Sequence, residues 1–593
     1  MKVLRTKLNL HMKKRGFLPF IVLLCIVSRI TAADSLKTQP VDRLDYSYNI
    51  NDRLFEAGNY FVFLYDDWGF DGAINYLGLP NNVISIRENR FQVVDPLFGQ
   101  VPMGWLGTAY SALEFSATGQ GLAFQSRFTN DGKIKSRFDY ERGDYNFLNF
   151  GIFMAGQLSD RVKWNFSGER FGYDGRFGLY TYSQTRTNET LTESYRMNIQ
   201  NEYERWRLLT SLSYQKYRPG VLETSVSGNY PAWRFSGGKT ESRVAVSVCV
   251  AQATQTDSLF IGVSLDGFIY RNDNSSFDLD YNGEANRVAV NLAKYFSWQD
   301  KTLKILCNPY YQAVYEQSGY EYSQSALDVN LNLSHPLGSC RLSYGVGLSD
   351  NAFTVGAGLR RFLGARTTVI AHLSSDYSRY PMIYDYYFKT VNPAEKLPKG
   401  FRYNLAQFAT QFNTERLNSL TGVYWARSEF YIPTYDAAKD SLLSVDRETL
   451  NKFYIVENLE YTFPWKTVIR MNTIASLPQN KDITPQLQFW GRAMQVLDLF
   501  RGNLKLYAAA DVVYHNGAEN LVWFEGLRNF ARTDAIYFTN QRLSANCRIG
   551  GHIGNFHIFY AIYNAEGRSF SSVAFMPYRN RLKVLGIEWS FLN

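Results

Sequence analysis

Beyond residue 33 the sequence has no run of about 18 apolar residues, so no helix is expected to cross a membrane. Cysteine is scarce: Cys249, Cys307, Cys340 and Cys547 stand far apart, with no CxxC among them, which argues against a zinc ribbon or a disulfide framework. There are only six histidines, and His372, His515, His552 and His557 show no spacing of a metal-ligand set. Each is expected to be a hydrogen-bonding residue on a strand. The chain also lacks HExxH, GxSxG, a Walker loop and GxGxxG, so no enzyme and no cofactor are expected. A fixed-period repeat is absent too, which removes a propeller.

Excess charge is a further absence once the N-terminus is set aside. Residues 1–33 carry seven basic side chains (Lys2, Arg5, Lys7, Lys13, Lys14, Arg15, Arg29) and no acidic one. An apolar run from Phe17 to Val27 follows, then Thr31-Ala32-Ala33. A basic start, a short apolar stretch and small residues predict a secretory signal peptide over 1–33. Leu24 before Cys25 is not the small residue that a lipidation signal needs. The whole chain is net +9, with 63 basic and 54 acidic residues; without the signal it is 56 against 54, net +2. That balance argues against nucleic acid as a partner.

What the chain has in quantity is aromatics. Tyr 42, Phe 42 and Trp 11 make up 16% of the residues, yet mean hydropathy is slightly polar at −0.28. Strands with one apolar and one polar face, and aromatics at two interfaces, produce that combination. The alternation is visible along the chain. Leu585, Ile587, Trp589 and Phe591 share one face, and Val584, Gly586, Glu588 and Ser590 the other. Tyr195, Met197 and Ile199 oppose Arg196, Asn198 and Gln200. Val244, Val246, Val248 and Val250 form another apolar row. A glutamate facing the same way as glycine and serine suits a wet lumen and would be costly in lipid.

Tight turns such as Gly554-Asn555 alternate with longer polar connections at 172–190, 376–402 and 432–450. Tight turns at one rim and long loops at the other belong to outer-membrane barrels. The prediction is an all-β chain: a transmembrane antiparallel β-barrel of roughly 20 to 22 strands of about ten residues over 121–593. Residues 34–120 would form a small segment that fills part of the lumen. Inner-face carboxylates Asp139, Glu141 and Glu169 are expected to pair with neighbouring bases. The aromatic stretches 377–381 and 384–388 are expected to be interfacial girdle residues or, as the alternative, loop rings that stack on sugars or ligand rings.

The last strand resembles the terminal targeting strand of outer-membrane barrels, with Gly586, Trp589 and Phe591 at the glycine and two aromatic positions. The resemblance implies recognition by the barrel-assembly machinery. Met576 to Asn580 is similar to the last strand entry of TonB-dependent receptors. A second resemblance lies in Leu77-Gly78-Leu79-Pro80-Asn81-Asn82-Val83-Ile84-Ser85-Ile86, followed by Asp95-Pro96-Leu97-Phe98-Gly99-Gln100-Val101-Pro102. It is similar to part of a TonB-dependent receptor plug, with Gly78, Asp95, Pro96 and Gly99 as the motif positions. Glu88-Asn89-Arg90 replaces the usual Asp-Gly turn, the segment is about half a plug long, and Asp34 to Arg43 shows no TonB box.

These resemblances imply a cell-outer-membrane protein that takes up a solute in the manner of a TonB-dependent receptor with a reduced plug. A passive porin-like channel is the other transport reading. A structural partner of a surface lipoprotein or secretion complex is the reading from another class. Outer-membrane lipid and the assembly machinery are the expected partners, with a surface lipoprotein under the last reading.

Overall fold

The computed structural model describes most of residues 79–591, together with the short paired strands Val62–Leu64 and Ile74–Tyr76. The first 61 residues, including the expected signal and Asp34 to Arg43, lie outside the described residues, as do several segments between strands.

Among the described residues, 22 antiparallel strands close into a barrel, running in chain order from Lys135–Gly143 to Leu582–Phe591. The last strand pairs with the first, with Trp589 opposite Phe138 and Phe591 opposite Ser136. Closure satisfies every strand edge, and lipid requires that because it offers no hydrogen bonds to an open one. A small hairpin, Leu521–Phe524 with Asn529–Thr533, grows from one loop, while the strands that flank it (Leu504–His515 and Arg542–Ile553) pair directly.

The period-two pattern sets which side chains face lipid. Tyr195, Met197 and Ile199 are exposed on the outer wall, whereas Arg196, Asn198 and Gln200 between them are buried inside. The same holds for Val244, Val246 and Val248 against Arg243, Ala245 and Cys249. An apolar outer band and a polar interior are the outer-membrane architecture. One rim carries tight turns throughout, for example at 160–161, 204–205, 299–300 and 554–555; the other carries the long connections. By that asymmetry the tight-turn rim is periplasmic and the long-loop rim extracellular.

Two expected loops turn out differently. The stretch 432–450 is largely strand, because Leu417–Asp436 and Ser441–Thr462 extend far past their neighbours as one long hairpin. The connection after Thr367–Arg379 does not stay at the rim. It turns inward through a short helical stretch at 382–385, and Met382, Ile383 and Tyr384 are buried.

Inside the barrel sits a four-stranded sheet in the order Phe91–Gln92, Ser85–Glu88, Gly121–Ser126, Ser111–Phe115. Ser85–Glu88 runs parallel to Gly121–Ser126; the other two pairings are antiparallel. Gly121–Ser126 therefore completes the inner sheet, one strand beyond the boundary expected at 121, and the wall starts at Lys135. The core of this inner domain is shared with the barrel. Leu79, Val83, Ile86, Leu97, Trp105 and Phe124 form one buried cluster with wall residues Phe268, Tyr270, Tyr403 and Phe430.

Candidate functional site

The site is the contact between the inner domain and the wall that surrounds it. It begins with the turn Asn89-Arg90, which joins Ser85–Glu88 to Phe91–Gln92. Both residues take left-handed backbone, with φ of 49° and 76°. Two successive left-handed residues make the hairpin turn that fits the twist of its strands, a place usually taken by Asn-Gly. The more strained choice of arginine here has a local reason: Arg90 places its guanidinium 5.1 Å from the centre of the Phe260 ring on the wall.

Around the tip, each side chain finds a wall partner. The Glu88 carboxylate accepts from Arg196 at 2.6 Å and lies 3.9 Å from Arg243. Arg243 is in turn paired with Asp266, and Arg196 also donates to the carbonyl of Trp105. The Asn89 amide donates to Asn198 Oδ1 at 3.1 Å and to Ser211 Oγ at 3.2 Å, while its oxygen accepts from the Ser126 backbone. Arg287 donates to the Gln92 carbonyl at 3.1 Å. Phe91 packs on Phe260 at 5.9 Å between ring centres and against the bare backbone of Gly262. A cavity of about 30 Å³ remains beside Glu88, Arg196, Asn198, Arg243, Ser264 and Asp266, room for a water molecule among polar walls.

The Asp-Pro motif anchors the outer side of the same domain. Asp95 is fully buried, and its carboxylate accepts from the Leu97 and Phe98 amides at 2.9 and 3.1 Å and from the Tyr270 hydroxyl at 2.6 Å. Pro96 supplies the fixed φ that such a turn favours, and Gly99 closes it with φ of 76°, its amide donating to the Asp95 carbonyl at 2.8 Å. Thus the structure brings Asp95, Pro96 and Gly99 together in one wall-bound turn. Gly78 lies outside the described residues.

Over this turn lies the inward-folded connection. The Ile383 amide donates to the Leu97 carbonyl at 2.9 Å, and the Tyr431 amide to the Tyr380 hydroxyl at 2.6 Å. Tyr380 stacks on Tyr384 with ring centres 5.5 Å apart, and packs against Phe401 at 5.2 Å. Burial pushes the Tyr380 hydroxyl above the ordinary tyrosine range, so it stays neutral in this contact. Of the two readings of these rings, the girdle at the membrane interface is not the one Tyr380 and Tyr384 take. They are cap residues instead, because the connection is long enough to bend into the lumen and bury its rings there.

Elsewhere on the inner wall, Asp139 shows the expected pairing with a base, and Glu141 is met by an amide. Arg137 bridges Asp139 at 3.0 Å and Glu588 at 3.1 Å, and the Glu141 carboxylate accepts from Asn149. His552 and His557 face each other across the Gly554-Asn555 turn, with rings stacked 3.9 Å apart, and His557 bonds the Tyr507 hydroxyl at 2.9 Å. Among the described residues no group of three or more His, Cys, Asp or Glu side chains is placed to hold a metal. Gly586 packs beneath the Phe559 ring of the adjacent strand, and Trp589 and Phe591 stand 5.3 Å apart at the barrel seam.

Sequence reasoning missed the wall half of the site: Arg196, Arg243, Tyr270 and Arg287. A signal was available, since each lies on the inner face of a strand whose other face is apolar. It says that the residue points inward, but not what it meets there.

No family model and no curated protein matches the sequence. Solved structures match the fold along nearly the whole chain. The FrpB iron transporter of Neisseria meningitidis superposes with a TM-score of 0.68 at 11% identity, covering 92% of this chain and 96% of that one. A mutant of the ferric enterobactin receptor PfeA of Pseudomonas aeruginosa gives 0.67 at 10% identity, over 91% and 96%. The siderophore receptor PirA of Acinetobacter baumannii gives 0.64 at 10%, over 91% and 96%. The fold is that of TonB-dependent receptor barrels.

Proposed function

We propose that the chain is an outer-membrane uptake protein whose lumen is closed by a reduced plug, residues 79–126, and opened by moving that plug. The observation that carries this reading is the clasp itself: Glu88, Asn89, Gln92 and Asp95 are all bonded to the inner wall. A lumen of about 22 strands is wide, and barrels of that size are plugged. The contacts each use a wall side chain and can be broken one by one, and among the described residues no strand is shared between plug and wall. Iron or ferric-siderophore handling by the proteins of similar fold makes a ferric chelate the first solute to test. On this reading, Gly586, Trp589 and Phe591 form the signal for the assembly machinery.

Planar-bilayer conductance tests the closure. The intact protein is expected to show almost no ion current, and deletion of residues 79–126 to open a large stable conductance. A correctly inserted deletion variant that conducts no more than the parent sinks the plug assignment. Binding of a ferric chelate to the intact protein, measured by fluorescence quenching, tests the solute separately. No binding by any chelate in a panel removes that part alone.

A further inference from the structure

The plug does not press evenly on the wall. Its buried cluster takes strand residues of the wall as far as Val314 and again from Phe401 onward. Between those points lie Glu321–Leu337, Cys340–Ser349 and Ala352–Phe362, and no residue of these three strands is buried on either face. Leu331, Tyr344, Val346 and Val355 are exposed on their outer side. By the period of two, the lumen side then carries Asp328, Asn330 and Asn332, followed by Gly345, Gly347, Gly356 and Gly358. Four inner positions without a side chain leave a bay between the wall and the plug.

Charge in this bay is one-sided. Arg87 and Glu88 are neighbours on one strand and so face opposite ways. Glu88 turns to Arg196, while Arg87 lies within electrostatic range of Asp328 and Tyr295 on the other side. The Arg87 side chain is half-buried, yet it makes no hydrogen bond or ion pair among the described residues. Arg287 and Arg379 come within range of the same carboxylate from the wall. Arg287 is buried, donates to the Gln92 carbonyl and sets its guanidinium 5.1 Å from the centre of the Tyr310 ring, but its Nε has no hydrogen-bond partner among the described residues. Asp328 accepts from Ser349 at 2.7 Å and forms no ion pair among the described residues. Asp266, the other acid near Arg287, is already paired with Arg243. Three guanidinium groups thus surround one carboxylate without closing on it, an excess of two positive charges. A cleft lined by charge of one sign, with walls of low dielectric, concentrates ions of the other sign. Guanidinium groups hold carboxylate and phosphate through paired N–H donors.

We infer that this bay is a binding site for a small solute with two or more carboxylate or phosphate groups, held between Arg87 of the plug and Arg287 and Arg379 of the wall. Under the uptake reading, on which its purpose rests, movement of the plug carries Arg87 away and releases the solute. Isothermal titration calorimetry of the full chain in detergent, with metal-free sodium citrate at low salt, tests the site. One citrate should bind per chain, and acetate should not bind. Arg87→Gln and Arg379→Gln should each weaken citrate binding about tenfold, the loss of one charge-assisted contact. Asp328→Asn should tighten it, because it removes the negative charge that faces the solute. Lys505→Gln, on a strand nine places further round the barrel, should change nothing. Heat-dependent gel mobility confirms that each variant is folded, and if one arginine variant fails to fold the other decides the result by itself. A parent that binds no citrate, arginine variants that bind as the parent does, weaker binding after Asp328→Asn, or an equal loss in Lys505→Gln would each overturn the site. Failure of the uptake reading looks different: the plug-deleted barrel then stays non-conducting while the parent still binds citrate.

Discussion

Glu88 is the residue on which the plug contact turns, because it is the negative charge set between Arg196 and Arg243. A buried ion pair adds little net stability, but removing one partner leaves the other charge stranded, at a penalty of about 3–5 kcal/mol. Glu88→Ala is therefore expected to loosen the plug while leaving the barrel folded, read as new single-channel openings. Adding Arg196→Met should restore much of the closure, and no recovery would mean that the charge pair is not the clasp. Gly262 offers a test that needs no charge. A Cβ there would stand 2.5 Å from the Phe91 ring and 3.0 Å from the Cys249 side chain. Gly262→Ala should push the hairpin off the wall and expose Cys249, which is now buried against it. In a background where the other cysteines are serine, a small maleimide should label Cys249 about tenfold faster in this variant, a shift near 1.4 kcal/mol in the opening equilibrium. Unchanged labelling would show that Phe91 does not seat there in solution.

At the scale of elements, the seam and the cap carry the expectations. Gly586 leaves room for the Phe559 ring across the pair of strands that precedes closure. Gly586→Val should cut the yield of heat-modifiable barrel in the outer membrane severely, and a normal yield would show that the seam relaxes around the added carbon. Segment 380–385 lies on the plug, with Ile383 bonded to Leu97. Shortening that connection should change the conductance of the plug-deleted barrel, because the cap then stands in the lumen by itself. The strands were legible because lipid on one side and water or polar plug on the other impose a strict period of two. The cap was not: Tyr380 and Tyr384 have the composition of an interfacial girdle, and only packing against Phe401 and Tyr431 distinguishes the two roles.

For the whole molecule, the shared core makes a prediction about autonomy. The plug's apolar residues share one buried cluster with Phe268, Tyr270 and Phe430 of the wall. A segment this short without its own core is too small to fold alone. A peptide spanning residues 79–129 should show an unfolded circular-dichroism spectrum in buffer, and a cooperative thermal transition would refute the shared-core description.

The sequence by itself determined the barrel, its near-final strand count and the inward direction of the polar rows. Each follows from local rules: alternation across an interface, and edges that lipid forbids. The tertiary structure decided the rest. Gly121–Ser126 looks like one more wall strand in isolation, and it joins the plug because Ser85–Glu88 is the partner it meets. Arg196, Arg243 and Arg287 are lumen arginines in the sequence and become a clasp only in the fold. Pairing and proximity join residues about a hundred positions apart, and no local pattern encodes which distant side chain waits across the lumen.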